Sequence, residues 1–177
     1  MPLSAQDLQK AFAALSAELA RRGDRAQIAI AGGAAMVLIY KARLTTKDVD
    51  AFILQPDPPR VREAAVQVSR ELELPEDWLN DGAKGYFVDV SEGDLAYESD
   101  SLIVRAVSTE QLLGMKLAAW RDAIDRSDAR LLLSKLEGSA EEIWVKVERF
   151  VPRAYSDKAS YAFDDLWESV HGSSPSR

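Results

Sequence analysis

The sequence predicts an α+β fold, in which a small mixed β-sheet with flanking helices is followed by a C-terminal helical bundle. Helix and strand patterns alternate up to Val107, whereas only helical periodicity follows from Ser108 onward. The 177 residues, 47% of them hydrophobic, are enough to bury a substantial core. We therefore expect an α/β core over residues 1–107, a helical portion over residues 108–171 packed on that core, and a disordered tail over residues 172–177.

The elements of the core are predicted from apolar spacing and turn residues. In chain order, they are a helix from a Ser4–Asp7 capping box to Gly23, a strand at 27–31, a helix after Gly32-Gly33, a strand at 48–54, helices opened by Pro58-Pro59 and by Pro75, and strands at 86–90 and 102–107. The strands would form a sheet of about four members at the usual strand length.

The C-terminal portion reads as helices alone. They are predicted to start near Ser108, Ser127 and Ser139, with a last helix over residues 161–170. Ser108 with Gln111 and Ser139 with Glu142 have the spacing of capping boxes, in which a serine side chain and a glutamine or glutamate side chain cap each other's backbone.

Composition excludes several kinds of site. The chain has no cysteine and a single histidine, so we expect neither thiolate metal sites nor imidazole-based catalysis, and oxygen-ligand chemistry remains. A formal net charge of −7 argues against broad electrostatic capture of nucleic acid, so a nucleic-acid substrate would need local contacts. Neither a secretory leader nor an apolar run of membrane-spanning length is found, which predicts a cytoplasmic protein without membrane association.

Two acids stand inside an otherwise apolar strand pattern. In DVDAFIL, strand alternation places the side chains of Asp48 and Asp50 on one side, with Cα atoms roughly 6.6 Å apart. Two carboxylates so placed can converge on Mg²⁺, which prefers oxygen ligands and commonly shares them with substrate phosphates. Asp48 and Asp50 are therefore the predicted metal ligands and catalytic acids. The alternative is a structural ion pair with Arg43 or Lys47, because unpaired acids in an apolar strand are costly.

The segment before this strand supplies groups that suit phosphate. Gly32 and Gly33 let the backbone approach a ligand, and the helix that they begin offers backbone N–H groups. Arg43, Thr46 and Lys47 add cations and a hydroxyl at the same edge. These five residues are the predicted phosphate contacts of the core, and an ordinary tight turn is the alternative interpretation of the two glycines.

Charged residues are also predicted to point inward from the C-terminal helices. Lys116 lies on the apolar stripe of its helix, Asp128 shares a face with Leu132, and Arg121 follows Leu117 by one turn. A buried charge requires an opposite charge, which is either an anionic ligand or a structural Lys116–Asp128 salt bridge. Both interpretations stay open at this point.

The core segment resembles a known superfamily. The run from Gly32 to Tyr40, the following Arg43 and the run TTKDVD are similar to the nucleotidyltransferase superfamily, specifically to its AbiEii/MenT-like branch and small bacterial relatives, which the segment PEDWLND also resembles. The similarity covers most of residues 25–136. A glycine is common in that branch where Lys41-Ala42 stands, so the turn before Arg43 is a departure from the pattern.

The resemblance implies roles for residues outside the Asp-x-Asp strand. It implies that Lys116 holds the phosphates of a nucleotide and that Asp128 completes the acidic set. Arg121, which points inward from the same region, is a further predicted phosphate contact. Many members of the superfamily take the third carboxylate from a neighbouring strand, and Asp89 in YFVDV is the rival for that position.

The resemblance also implies an activity. It predicts Mg²⁺-dependent transfer of a nucleoside monophosphate from a nucleoside triphosphate to an acceptor hydroxyl, on a tRNA 3′ end or a protein, in a toxin-like or defence-linked enzyme with a cognate antitoxin or toxin partner. The alternatives are a non-catalytic antitoxin or regulatory module with the same fold, and transfer to a small molecule of the aminoglycoside type.

Overall fold

A computed structural model describes residues 2–55 and 57–172, which fall into two compact units. The first unit takes the described residues up to Lys84 together with Glu92–Val107, and the second takes Gly85–Ser91 together with the described residues from Ser108 onward. The tail predicted to be disordered lies, apart from Gly172, outside the described residues.

The first unit contains the sheet. Its elements are β1 (Leu3–Ser4), α1 (Ala5–Arg22), β2 (Ala26–Ile30), α2 (Gly32–Leu38), β3 (Thr45–Thr46), β4 (Val49–Gln55), α3 (Pro58–Glu71), β5 (Leu79–Asn80), β6 (Leu95–Glu98) and β7 (Leu102–Ala106). Within the described residues, five strands form a sheet in the order β5-β4-β2-β7-β6, while β1 pairs with β3. Because β4 is antiparallel to β2 whereas β7 is parallel to β2, the sheet is mixed, and the predicted α+β class is confirmed.

Helix α1 begins and ends at the predicted signals. The Ser4 hydroxyl accepts a hydrogen bond from the Asp7 N–H at 3.2 Å, and the Asp7 carboxylate accepts one from the Ser4 N–H at 3.0 Å, which closes the capping box. Gly23 ends the helix in a left-handed conformation with φ of 73°. Immediately before the helix, β1 pairs Leu3 with Thr46, so the start of α1 also holds the segment that leads into β4.

Trp78 fixes the short strand β5 beside β4. Its side chain is fully buried, and its indole N–H donates to the Ala65 carbonyl on α3 at 3.0 Å. The Val49 N–H donates to the Trp78 carbonyl at 2.7 Å, which aligns the first residues of β4 with β5 in parallel. The short helix predicted after Pro75 is wrong, because that segment is a turn leading into β5.

The second unit is helical. Its helices are α4 (Thr109–Ala119), α5 (Ala123–Leu133), α6 (Ala140–Glu148) and α7 (Ser156–His171), with one-turn 3₁₀ segments at Arg153–Tyr155 and at Gly82–Tyr86, the latter shared with the first unit. Every residue of α4 from Gln111 to Ala119 is buried, and α4 contacts the other three helices. No helix in the described residues has the length and apolar content needed to cross a membrane.

Helix starts in the second unit were predicted unevenly. The Ser139–Glu142 capping box is formed, and Ser108 caps α4 by accepting from the Gln111 N–H at 3.2 Å. Helix α5 begins four residues before the predicted Ser127, because Asp122 caps it by accepting from the backbone N–H groups of the first turn. Helix α7 likewise begins at Ser156 and not near Tyr161.

The strand predicted at 86–90 is wrong, because this segment is irregular beyond Tyr86. The buried Gln111 side chain holds it in place. The Gln111 amide oxygen accepts from the Ser91 N–H at 2.8 Å and from the Ser91 hydroxyl at 2.6 Å, and the amide nitrogen donates to the Asp89 carbonyl at 2.6 Å. A side chain of α4 therefore supplies hydrogen bonds that a sheet partner would otherwise supply.

Candidate functional site

Asp50 lies where β4, β5 and the junction between β2 and α2 meet. It is the second residue of β4, and its Cα is paired with that of Asn80 on β5. Its carbonyl accepts a hydrogen bond at 2.9 Å from the N–H of Ala31, the residue that joins β2 to α2. The end of β2 and the whole of β5 therefore fix the backbone position of this acid.

The Asp50 carboxylate is packed against glycine backbone on the α2 side. A Cβ at Gly32 would stand 2.7 Å from Asp50 Oδ2, closer than real Cβ contacts allow. Gly32 also has a φ of 58°, a conformation that side chains disfavour. Only glycine at this position leaves the carboxylate where it is.

A second glycine borders the other oxygen of Asp50. A Cβ at Gly82 would stand 3.3 Å from Asp50 Oδ1 and 2.8 Å from Asn80 Oδ1. Asn80 is held by two bonds, since its Oδ1 accepts from the Gly82 N–H at 2.7 Å and its Nδ2 donates to the Asp77 carbonyl at 3.1 Å. We call Gly32, Asp50, Asn80 and Gly82 the Asp50 cradle.

Sequence reasoning missed Asn80 and Gly82 as parts of the site. The segment PEDWLND contributes to the sequence analysis only through the resemblance, which assigns no role to Asn80. The available signal was the buried Trp-Leu pair before Asn80, which is compatible with a short strand beside the acidic one.

Asp48 lies just outside the strand. β4 begins at Val49, so the prediction that both acids are on one strand is corrected, and alternation along a strand does not relate their side chains. Asp48 is half-buried, and its carbonyl accepts from the Thr46 hydroxyl at 3.1 Å. That bond stabilises the turn that immediately precedes Asp50.

Gly33 gives room to the residues that precede β4. A Cβ at Gly33 would overlap the Thr46 hydroxyl oxygen and would stand 3.7 Å from Arg43 Nη1. Thr46 is buried, and its hydroxyl is engaged with the Asp48 carbonyl. The structure thus brings Gly33, Arg43 and Thr46 together, as the sequence predicted, and gives Thr46 a structural bond.

The segment between α2 and β4 carries exposed basic residues on both sides of β3. Lys41 and Lys47 are exposed, and Leu44 between them is 90% exposed. Lys41 has a φ of 51°, in the left-handed region that glycine adopts at low cost. A glycine would adopt this conformation without strain. Lys41 adopts it at the position where the resembled branch commonly has a glycine.

The donor chemistry of the cradle fits a hard divalent cation. Asp50 and the nearby Asp48 offer carboxylate oxygens and Asn80 offers an amide oxygen, which are ligands that Mg²⁺ prefers. Gly32 and Gly82 keep open the space beside the carboxylate that a Cβ would fill. Among the described residues, no three His, Cys, Asp or Glu side chains come together as a metal site, so a cation here would draw its other ligands from the amide, water or phosphate.

A small cleft lies along the outer edge of β4. It has a volume of about 120 Å³, and its lining includes Phe52 and Pro58 as apolar groups and Arg62, Lys84 and Asn80 as polar ones. Asn80 therefore belongs both to the Asp50 cradle and to the wall of this cleft.

The charged residues predicted on the C-terminal helices form a network within the second unit. Lys116 Nζ lies 3.0 Å from Asp125 Oδ1 and 2.8 Å from Asp128 Oδ2, and the three side chains are 10%, 3% and 4% exposed. Arg121 Nε lies 3.0 Å from Asp125 Oδ2. We call Lys116, Arg121, Asp125 and Asp128 the Lys116 network, which contains the salt bridge considered as the structural alternative.

Asp125 is the residue of this network that sequence reasoning missed. Burial raises the pKa of its carboxyl, but hydrogen bonds and charge from Arg121 and Lys116 outweigh burial and hold the pKa below its ordinary value. The same bond raises the pKa of Arg121. The predicted start of the helix near Ser127 left Asp125 outside it, although Asp125 and Asp128 are three residues apart and so share a helix face.

Asp89, the rival third carboxylate, is exposed and lies on no strand. Its Oδ1 accepts from the N–H of Val90 at 2.8 Å. The strand on which its candidacy depended is absent from this segment.

Comparison with known proteins gives one match. A family model described as a nucleotidyltransferase of unknown function (DUF6036) matches residues 6–135. The matched stretch contains both the Asp50 cradle and the Lys116 network. No curated protein and no solved structure matches the chain.

Proposed function

The chain belongs to the family of nucleotidyltransferases of unknown function (DUF6036), and from that premise we propose that it transfers a nucleoside monophosphate from a nucleoside triphosphate to an acceptor hydroxyl with the help of Mg²⁺. The observation that carries the proposal is the Asp50 carboxylate held between two glycines, with oxygen donors beside it. Glycine at both positions leaves backbone beside this carboxylate, so that a ligand can approach it there.

The proposed metal ligands are Asp48 and Asp50. Mg²⁺, when bound, would neutralise charge on the triphosphate and stabilise the departing pyrophosphate. Asp50 is fixed by its backbone bond to Ala31 and by its pairing with β5, so its carboxylate is positioned before any ligand arrives.

The proposed phosphate contacts are Gly32, Gly33, Arg43, Thr46 and Lys47. Gly33 and Arg43 lie together in the structure, and Lys47 is exposed next to Asp48. Thr46 would act mainly by shaping the turn, because its hydroxyl donates to the Asp48 carbonyl. The cations would offset the negative charge that a triphosphate brings to a chain of net charge −7.

The chemical step is an in-line substitution at the α-phosphorus. The acceptor oxygen forms a new ester bond to phosphorus as the bond between the α-phosphorus and the bridging oxygen breaks, and pyrophosphate leaves with that electron pair. The proton of the acceptor hydroxyl passes to a base. The roles predicted for Lys116, Arg121 and Asp128 in this chemistry stay predictions.

For the acceptor we propose an RNA 3′ end, as in the AbiEii/MenT-like branch that the sequence resembles. The basic segment with Lys41, Arg43 and Lys47 next to Asp48 favours a polyanionic acceptor over a cationic aminoglycoside. A protein hydroxyl is the second acceptor that we propose. For the biological role we propose a toxin-like enzyme that has a cognate partner.

A non-catalytic module with the same fold is the second candidate. It is favoured by one observation, which is that no three acidic or histidine side chains come together as a metal site in the part of the chain that the structure describes. In that case the fold would serve a regulatory or antitoxin role.

The experiment incubates the protein with each α-labelled nucleoside triphosphate, Mg²⁺ and total tRNA, and follows label onto RNA and onto protein. Asp50→Asn is the test variant, and Asp57→Asn is the matched control, because Asp57 is an exposed acid of the same unit outside the cradle. We expect Mg²⁺-dependent labelling that Asp50→Asn abolishes and Asp57→Asn retains.

Other outcomes discriminate between the candidates. If only protein were labelled, the acceptor would be a protein hydroxyl and not RNA. No labelling by any variant, together with no binding of any triphosphate in calorimetry, would overturn the proposed activity in favour of the non-catalytic module.

A further inference from the structure

We infer that Asn80 supplies an amide oxygen as a further ligand to the cation held at Asp50, taking the place that a third carboxylate would otherwise fill. The inference rests on the proposed function, because it needs a cation at Asp50. It concerns a neutral residue that a search for clustered acids does not find.

The first support is strand geometry. Asn80 and Asp50 are Cα partners on the parallel pair β5 and β4. Directly paired residues of neighbouring strands place their side chains on the same face of a sheet, only one strand spacing apart. Trp78 anchors β5 through its buried ring and its bond to Ala65, so this pairing does not depend on the two-residue strand alone.

The second support is the convergence of oxygens. Asp50 Oδ1 and Asn80 Oδ1 lie 3.3 Å and 2.8 Å from one point, the position that a Cβ of Gly82 would take. Both oxygens therefore lie beside Gly82, on the side where a side chain would begin, and a glycine adds no side chain next to them. Any other residue at position 82 would bring a Cβ into close contact with both oxygens.

The third support is the fixed orientation of the amide. Asn80 Nδ2 donates to the Asp77 carbonyl and Oδ1 accepts from the Gly82 N–H, so the oxygen and not the nitrogen is on the side of Gly82. A carbonyl oxygen has two lone pairs, and the Gly82 bond uses one. Asn80 also lines the cleft of about 120 Å³, which gives water or phosphate oxygens access beside it.

The bond to Gly82 gives Asn80 a structural role as well, so the test must separate the two roles. Asn80→Asp keeps an oxygen that can accept from Gly82 and adds a negative charge, but it loses the bond that Asn80 Nδ2 donates to the Asp77 carbonyl. Asn80→Ala removes the oxygen from both roles. Asp81→Asn is the control, because it removes an exposed charge from the next residue without touching the cradle.

The measured quantity is the affinity of the full-length protein for Mn²⁺ in the presence of a non-hydrolysable triphosphate. Electron paramagnetic resonance measures this affinity. We expect Asn80→Ala to weaken Mn²⁺ binding by about 10-fold or more and Asn80→Asp to strengthen it. Asp81→Asn should stay within about twofold of the wild type, because exposed charges are screened. Urea unfolding of each variant gives the structural effect separately.

The outcomes distinguish this inference from the proposed function. If the wild type binds Mn²⁺ with nucleotide, Asp50→Asn loses it and both Asn80 variants bind as the wild type does, then Asn80 is only a turn residue and the inference is overturned. If the wild type binds no Mn²⁺ with any triphosphate, the proposed function fails and the inference falls with it. Weaker binding by Asn80→Asp would also overturn the inference, because an added charge on a ligand strengthens cation binding.

Discussion

The Asp50 cradle and the Lys116 network both place carboxylates in partly or fully buried positions, but they surround them differently. Asp125 and Asp128 share a lysine within 3.0 Å, and all three side chains are at most 10% exposed. Asp50 is half-buried, and two of its close neighbours are glycines without side chains. The carboxylates of the Lys116 network are enclosed by side chains, whereas each oxygen of the Asp50 carboxylate borders the backbone of a glycine.

The two surroundings predict different responses to substitution. A buried carboxylate with a cation at hydrogen-bond distance contributes to stability only while both partners remain. Where a carboxylate borders glycine backbone, a ligand can approach from the glycine side without moving a side chain out of the way. Substitutions in the Lys116 network should therefore change stability alone, whereas substitutions in the Asp50 cradle should also change cation binding.

The largest effect is expected from Lys116→Met, which leaves Asp125 and Asp128 buried without their shared cation. We expect the free energy of unfolding, measured by urea denaturation at pH 7, to fall by about 3–5 kcal/mol. Lys135→Met removes an exposed lysine and should change it by less than about 0.5 kcal/mol. An unchanged urea midpoint for Lys116→Met, together with lost nucleotide binding, would reverse the comparison and make the Lys116 network a ligand site.

A somewhat smaller loss of stability is expected from Gly32→Ala, which tests the cradle. The new Cβ would stand 2.7 Å from Asp50 Oδ2, in a residue with φ of 58°, so we expect a loss of about 2–4 kcal/mol together with loss of Mn²⁺ binding. Gly85→Ala is the control, because a Cβ there would meet nothing within 4 Å. If Gly32→Ala kept both wild-type stability and Mn²⁺ affinity, the carboxylate would have room to move and the cradle would not be rigid.

The smallest effects are expected at two residues whose backbone is in the left-handed conformation. Lys41, in the loop that leads to β4, has φ of 51°, and Trp120, at the end of the helix that carries Lys116, has φ of 35°. Lys41→Gly should raise the free energy of unfolding by about 0.5–1 kcal/mol, because the exposed side chain has little packing to lose. Trp120→Gly relieves the same strain but should lower stability, because the ring packs under the Arg126 guanidinium at 5.4 Å. Ala42→Gly, at a residue without positive φ, should not stabilise the protein.

What the sequence predicted well was local in origin. The Ser4–Asp7 and Ser139–Glu142 capping boxes and the Gly23 terminus depend on residues within one helical turn, and all are present in the structure. The strand that carries Asp50 was predicted within one residue, because its apolar run is long enough to identify alone. Gly33, Arg43 and Thr46 were also brought together as expected.

What the sequence did not predict depends on contacts between distant residues. The two-residue strand β5 exists because Trp78 is anchored on α3, and no periodicity is visible in two residues. The segment 86–90 is rich in β-branched and aromatic residues that are typical of strands, yet the Gln111 side chain provides its hydrogen bonds. Asp125 was missed because a cap at Asp122 moved the helix start by one turn. Asn80 was missed because a neutral side chain carries no charge signal.

The chain crosses between its two compact units three times, after Lys84, after Ser91 and after Val107. A fragment cut after Val107, which the alternation of helices and strands suggests as a natural end, would retain Gly85–Ser91 but lack Gln111. The Ser91 N–H and hydroxyl and the Asp89 carbonyl would then lose their partner. Anyone dissecting this protein into separately expressed halves should therefore keep the chain through α4, or shorten the 85–91 segment at the same time.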